Sequence, residues 1–251
     1  MRTNTLVTAY IQATLFLGVG IRSIMGWLET RDKRSAHLAI ATGLFGINSM
    51  MSAISTTIWD TAMNEQPPRA WSVITTIIIF LSAYSFLLFL SDFIRFPVAL
   101  KALVVVATAF SIVMAFIERP DFRFDPRTFK LVPIPGVHNP ISYHAWVWYL
   151  IIYLAVVFGV LGLAFLVYGF RVQGLARLRM ISIGSGFTLL FIVIGLLPLL
   201  IFGNFGRTAA TSLFNVVRYL ALASAPLLFI GFAPPKTIAR RVGGPAEAEA
   251  K

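Results

Sequence analysis

Seven stretches of about twenty apolar residues recur along this chain, and they constrain its fold more than any other feature. A helix rises about 1.5 Å per residue, so each stretch matches the roughly 30 Å hydrocarbon core of a bilayer. Read from hydropathy, they run from Thr5 to Leu28, His37 to Trp59, Trp71 to Phe93, Lys101 to Ile117, His144 to Phe170, Met180 to Phe202 and Ser212 to Phe232. In lipid every backbone N–H and C=O needs a partner, which long unbroken segments find only as helices. The expected fold is all-α: an integral membrane bundle of seven transmembrane helices. Composition agrees, since 58% of the 251 residues are hydrophobic and only 12% are charged, about half the charged fraction of a soluble domain. The spans consume most of the chain, so residues 1–235 read as one bundle and 236–251 as a basic, disordered tail.

Charge sets the expected orientation. The first span is too long for a signal peptide, has only Arg2 before it, and is followed by Arg31, Lys33 and Arg34. With the amino terminus outside, the inner loops and tail hold those three with Arg95, Lys101, Arg171, Arg177, Arg179, Lys236, Arg240, Arg241 and Lys251. The outer side holds Arg2, Arg69, Arg119, Arg123, Arg127, Lys130 and Arg207, most of them in one long loop that counts less. The expected location is the cell (inner) membrane, multi-pass, with the carboxyl terminus cytoplasmic. Trp59, Trp71, Trp146 and Trp148 then cluster at the outer interface and Trp27 at the inner one. The strongly basic balance is accounted for by topology and anionic headgroups, so nucleic acid is not an expected partner.

Glycines Gly159, Gly162, Gly184 and Gly186 read as helix-packing sites, and Pro198 and Pro226 as bending points. The one long connection, 118–142, contains FRF, DPR and TFKLV, a hairpin pattern with Asp125 and Pro126 at its turn. It is expected to cap the outer mouth of the bundle. No internal repeat of the kind seen in inverted-repeat transporters is present.

Polar residues within the spans mark candidate sites. Thr5, Thr8, Gln12, Val19 and Arg22 follow a helical rhythm on the first span, as do Asn48, Ser52, Ser55 and Trp59 on the second. At the inner end Arg22 and Asp92 are a candidate pair, and with Arg95 form a candidate inner-face switch; Arg22 has the alternative of snorkelling to the headgroups. The last span carries Arg218, with Asn215 on the same face. A charge near the centre of a spanning helix costs about 2.5 to 3.5 kcal/mol, so Arg218 needs a compensating role. Six residues inside the outer end of its span, it lies about 9 Å deep. Glu118 and Asp60 are the carboxylates at that end. Two roles compete: a buried ion pair or carbonyl clamp that fixes packing, or a cationic anchor for an anionic ligand. The run YHAWVWYLIIY supplies His144, Trp146, Trp148, Tyr149 and Tyr153 as aromatic walls or as an interfacial belt. The candidate ligand-binding set is Arg218, Asn215, Glu118, Gln12, Asn48, Trp146 and Tyr149.

Much chemistry is missing from the sequence. There is no cysteine, hence no disulfide, thiolate metal site or Cys nucleophile. His37 lies at the inner end and His138 and His144 at the outer, too far apart in depth to share a haem. No lysine sits inside a span to carry retinal, and no HExxH, phosphate loop, dinucleotide fingerprint or intramembrane aspartate pair occurs. No enzyme, metal site or cofactor is expected, though a lipid or apolar pigment has room in such a bundle.

The exit of the last span, LLFIGFAPPKTIARR, Leu227 to Arg241, resembles the junction where the seven-helix membrane module of bacterial sensor histidine kinases and related signalling proteins passes into a cytoplasmic domain. The likeness covers that junction, the seven-span plan and the long fourth-to-fifth connection. It implies a receptor-like sensor in the cell membrane of a bacterium, here expected to signal to a separate membrane or cytoplasmic partner because only a short tail follows Arg241. The expected ligand is a small apolar or anionic molecule bound in the outer half. The alternatives are a small transporter or channel, whose path the polar stripes would line, and a non-catalytic accessory subunit of a membrane complex.

Overall fold

Each apolar segment is a helix in the computed structural model, which describes residues 2–55, 57–58, 69–94, 96–117, 122–125, 130–133, 143–203, 205, 207–232, 234 and 237–238. The helices are α1 Arg2–Thr30, α2 Lys33–Ser55, α3 Arg69–Ser91, α4 Val98–Ile117, α5 Tyr143–Gly169, α6 Gly174–Phe202 and α7 Arg207–Phe232. All seven are long and apolar enough to cross a membrane, the architecture of a multi-pass membrane protein.

Several helices begin before their apolar run does. α2, α6 and α7 start at Lys33, Gly174 and Arg207 rather than at His37, Met180 and Ser212, because hydropathy senses the lipid-facing part while caps and turns decide where helix begins. At α2 the Asp32 carboxylate accepts the backbone N–H groups of Arg34 and Ser35 at 3.1 and 3.4 Å, an N-cap that satisfies two orphan donors.

Consecutive helices run antiparallel, so the starts of odd-numbered helices and the ends of even-numbered ones share one end of the bundle. That end carries the β-hairpin; the other carries the α1–α2 and α5–α6 turns and is called the basic end below. α1 packs against α2 and α7, α2 against α3, α3 against α5, α5 against α6 and α6 against α7, closing a ring, while α4 rests on α3. In lipid there is little hydrophobic force between helices, so close backbone approach must hold them. A Cβ on Gly46 would stand 2.8 Å from the backbone nitrogen of Leu17, and one on Gly20 would stand 2.9 Å from the Gly43 Cα. Between α5 and α6 the expected packing role of Gly162 and Gly184 holds: a Cβ on Gly184 would stand 2.7 Å from the backbone nitrogen of Leu166. Pro198 and Pro226 both lie inside continuous helices.

Phenylalanine fills the ring. Phe86 meets Phe187 edge-on at 5.0 Å, Phe45 at 6.2 Å and Phe232 at 6.3 Å, and Phe16 meets Phe45 at 4.6 Å. Phe89, Phe158 and Phe165 extend the cluster. Each such aromatic pair adds about 0.5 to 1.5 kcal/mol beyond burial. A void of about 10 Å³ remains among Phe16, Val19, Thr42, Phe45, Phe86, Leu228 and Phe232, barely the roughly 10–15 Å³ that one water needs.

The hairpin forms as expected, with one correction. β1 (Phe122–Asp125) pairs antiparallel with β2 (Lys130–Pro133), Asp125 opposite Lys130. Asp125 is thus the last residue of β1, opposite Lys130, while Pro126, which has no N–H to donate, lies outside the described residues. β2 lies against α6. The rest of connection 118–142 and the tail beyond 238 fall outside the described residues.

Candidate functional site

Three helices assemble a polar and aromatic cluster in the hairpin-end half. The first turns of α5 place Trp146, Tyr149 and Tyr153 three and four residues apart, on one face. That face turns inward: Trp146 is 6% exposed, whereas Trp148, on the opposite face, is 42% exposed. Trp146 therefore lies inside the bundle, and Trp148 has the lipid-facing position of a belt residue. Trp146 stacks on Tyr149 at 5.6 Å, and Tyr153 packs against Phe80 of α3 at 4.9 Å.

The two tyrosine hydroxyls fasten α5 to α4. Thr108 donates its proton to Val104 O, so its oxygen accepts from the Tyr153 hydroxyl at 2.9 Å. One helical turn nearer the hairpin end, the Tyr149 hydroxyl meets Ala107 O at 2.8 Å and Ser111 Oγ at 3.0 Å. In lipid no water competes for these groups, so the pairs join α4 to the bundle at two points. Tyr149 was legible as a candidate; the partners Thr108 and Ser111 were not singled out. Their three-residue spacing on α4, against the four-residue spacing of the two tyrosines, is the signal that matches them.

Arg218 shares the height of this cluster but not its helices: it lies on α7, which packs against α1 and α6. α7 begins at Arg207, so eleven residues precede Arg218 in its helix. Gly18 of α1 faces Phe229 of the parallel α7, which puts Arg218, about 16 Å nearer the hairpin end, at about the height of Val7. α1 itself begins five residues earlier, at Arg2, so Arg218 lies within the hairpin-end half of the bundle. Its guanidinium lies 5.0 Å from the centre of the Tyr219 ring and donates to the Tyr219 hydroxyl at 3.2 Å. Tyr219 is 54% exposed, so one side of the half-buried Arg218 leans to the bundle surface on an aromatic and phenolic support. Asn215, Gln12 and Asn48 are likewise half-buried in the same half. Glu118 and Asp60 lie outside the described residues.

The basic end differs from expectation. Asp92 does not pair with Arg22. It accepts from Nδ1 of His37 at 2.8 Å, joining the start of α2 to the end of α3, while Arg22 is exposed on α1. The reason is azimuth: α1 buries Ala13, Phe16, Val19 and Gly20, and Arg22 falls off that face. Arg95, the third member of the expected switch, lies outside the described residues. Beside the pair, Arg34 lies over the Phe93 ring at 5.3 Å. Arg179 of α6 donates through Nε to Gly231 O at 3.1 Å, placing a cation on the last carbonyls of α7, where the helix dipole favours it.

Compared with protein-family models, with curated proteins and with solved structures, the chain matches none.

Proposed function

We propose that this chain is a receptor-like sensory membrane protein. It takes a small apolar or anionic molecule, or a lipid, in the hairpin-end half of the bundle and passes the change to a separate partner at the basic end. One observation carries the reading: the division of the interior. Tyr149, Tyr153, Trp146, Gln12, Asn48, Asn215 and Arg218 collect in one half, whereas rings from Phe16, Phe45, Phe86, Phe89, Phe165, Phe187 and Phe232 fill the middle and the other half. A bundle with these side chains in one half and packed rings across its middle suits a molecule that arrives and leaves on the same side better than one that crosses.

Binding would act on packing. Trp146 and the hydroxyl pairs of Tyr149 and Tyr153 connect α3, α4 and α5, so a ligand that displaces one ring shifts the balance between two arrangements of α4. The test is mass spectrometry of small molecules retained by the gently purified protein. The wild type should keep a molecule that Arg218→Met and Trp146→Ala lose while both variants stay folded. Equal retention by all three rejects this site.

A further inference from the structure

The turn between α1 and α2 has a feature that folding alone does not require. Arg31 has φ +53°, the only left-handed non-glycine residue among those described. It occupies the position after the last turn of α1, with its N–H bonded to Trp27 O at 2.7 Å, where glycine sits without steric cost. An arginine there is retained against backbone preference, which directs attention to its side chain. That side chain lies 5.4 Å from the centre of the Trp27 ring. Arg34, three residues on, lies 5.3 Å from the Phe93 ring, and Lys33 between them is exposed.

Of the carboxylates at this turn, Glu29 is exposed and makes no ion pair with Arg31 or Arg34, and the other two are engaged elsewhere. Asp32 caps α2 through the N–H groups of Arg34 and Ser35, and Asp92 accepts from His37. Among the described residues, neither Arg31 nor Arg34 is within ion-pair distance of a carboxylate. Each guanidinium therefore has one face on an aromatic ring and its N–H fork open to solvent at the rim of a bundle built to stand in lipid. At that height in a bilayer the abundant anion is the headgroup phosphate, and two supported guanidinium groups with a lysine between them suit a headgroup with net negative charge.

We infer that the α1–α2 turn is a seat for the phosphate of an anionic phospholipid, held by Arg31 and Arg34 and attracted by Lys33. The site is at the opposite end from the proposed ligand site and stands whether or not that reading does. The Trp27 and Phe93 rings hold the two guanidinium groups at the apolar boundary.

The experiment uses the full chain in detergent and measures binding of short-chain phosphatidylglycerol, phosphatidylcholine and inorganic phosphate by native mass spectrometry. Phosphatidylglycerol should bind to the wild type at least about tenfold more tightly than phosphatidylcholine. Arg31→Gly and Arg34→Gln should each weaken phosphatidylglycerol binding by about fivefold to tenfold. Arg31→Gly also relieves the left-handed backbone, so its thermal midpoint should not fall, which separates lost binding from lost folding. Arg171→Gln, which removes an exposed cation from the α5–α6 turn at the same end, should change binding by less than about twofold. Equal losses in Arg171→Gln and the two seat variants would reduce the effect to diffuse charge and overturn the site. So would unchanged binding in both seat variants, or inorganic phosphate binding as tightly as the lipid.

Discussion

A carboxylate at the edge of a membrane bundle needs a partner, because an unpaired buried charge costs several kcal/mol. Asp92 has found one in the imidazole of His37, at 2.8 Å and largely sheltered. The bond ties α2 to α3 at the same end where Arg34 covers Phe93. A double-mutant cycle between His37→Ala and Asp92→Asn should return a coupling of about 1 kcal/mol, and one between Arg22→Ala and Asp92→Asn close to zero; unfolding in mixed micelles measures both. The reverse pattern would restore Arg22 as the partner. Hydropathy places a residue along the membrane normal and says nothing about which way it faces, so Arg22 and Asp92 looked matched by depth. Spacing supplies azimuth only where neighbours on one helix are unambiguous, as in Trp146, Tyr149 and Tyr153, whose common face was readable and is buried. The hydroxyl partners of those tyrosines on α4 were not readable, because they depend on how two helices rotate against each other. The height of Arg218 needed the same knowledge, since it follows from Gly18 facing Phe229 across α1 and α7.

At the scale of the helix, length and polarity carried nearly everything. Seven runs long enough to span a bilayer became seven helices, and the differences are confined to their ends, such as Lys33, Ser55 and Gly174, where caps and turns rule. The glycines divide into two kinds that the sequence does not distinguish. Gly46 lets α1 and α2 touch, with Leu17 backbone atoms within 3 Å of where its Cβ would be, whereas a Cβ on Gly195 would meet nothing within 4 Å. Gly46→Ala should therefore destabilise the protein by about 1 to 3 kcal/mol through forced separation of two backbones. Gly195→Ala should be neutral or gain up to about 1 kcal/mol from helix preference. Paired unfolding titrations in micelles decide this, and equal effects would mean that α1 and α2 do not pack through Gly46. The hairpin followed from FRF, DPR and TFKLV because alternation and a proline are local signals. That β2 lies against α6 is a long-range fact that no local pattern contains.

For the molecule as a whole, the proposed sensing role rests on the distribution of its interior. A transport path must hydrate or coordinate its solute along the full thickness of the membrane. Here Phe45, Phe86, Phe187 and Phe232 meet one another across the ring, and the void they leave is about 10 Å³. Opening that plug means separating several aromatic contacts at once, each about 0.5 to 1.5 kcal/mol, while Thr42, the polar side chain at the void, already donates its hydroxyl to Leu38 O at 2.7 Å. Purified protein in liposomes should therefore show no flux of small charged or sugar-like solutes. The sharper measurement is on Phe86→Ala. Deleting a ring that is 2% exposed should cost about 3 to 5 kcal/mol through lost contacts and a residual cavity, yet that cavity, lined by Phe45, Phe187, Phe232, Leu228 and a Thr42 whose hydroxyl is already bonded to Leu38 O, should stay dry. Stability should fall while permeability remains at zero. If Phe86→Ala instead opens a leak for hydrophilic solutes, the plug is a gate only one ring thick, the polar residues above it are the vestibule of a pore, and the reading of the hairpin-end half as a ligand site fails with it.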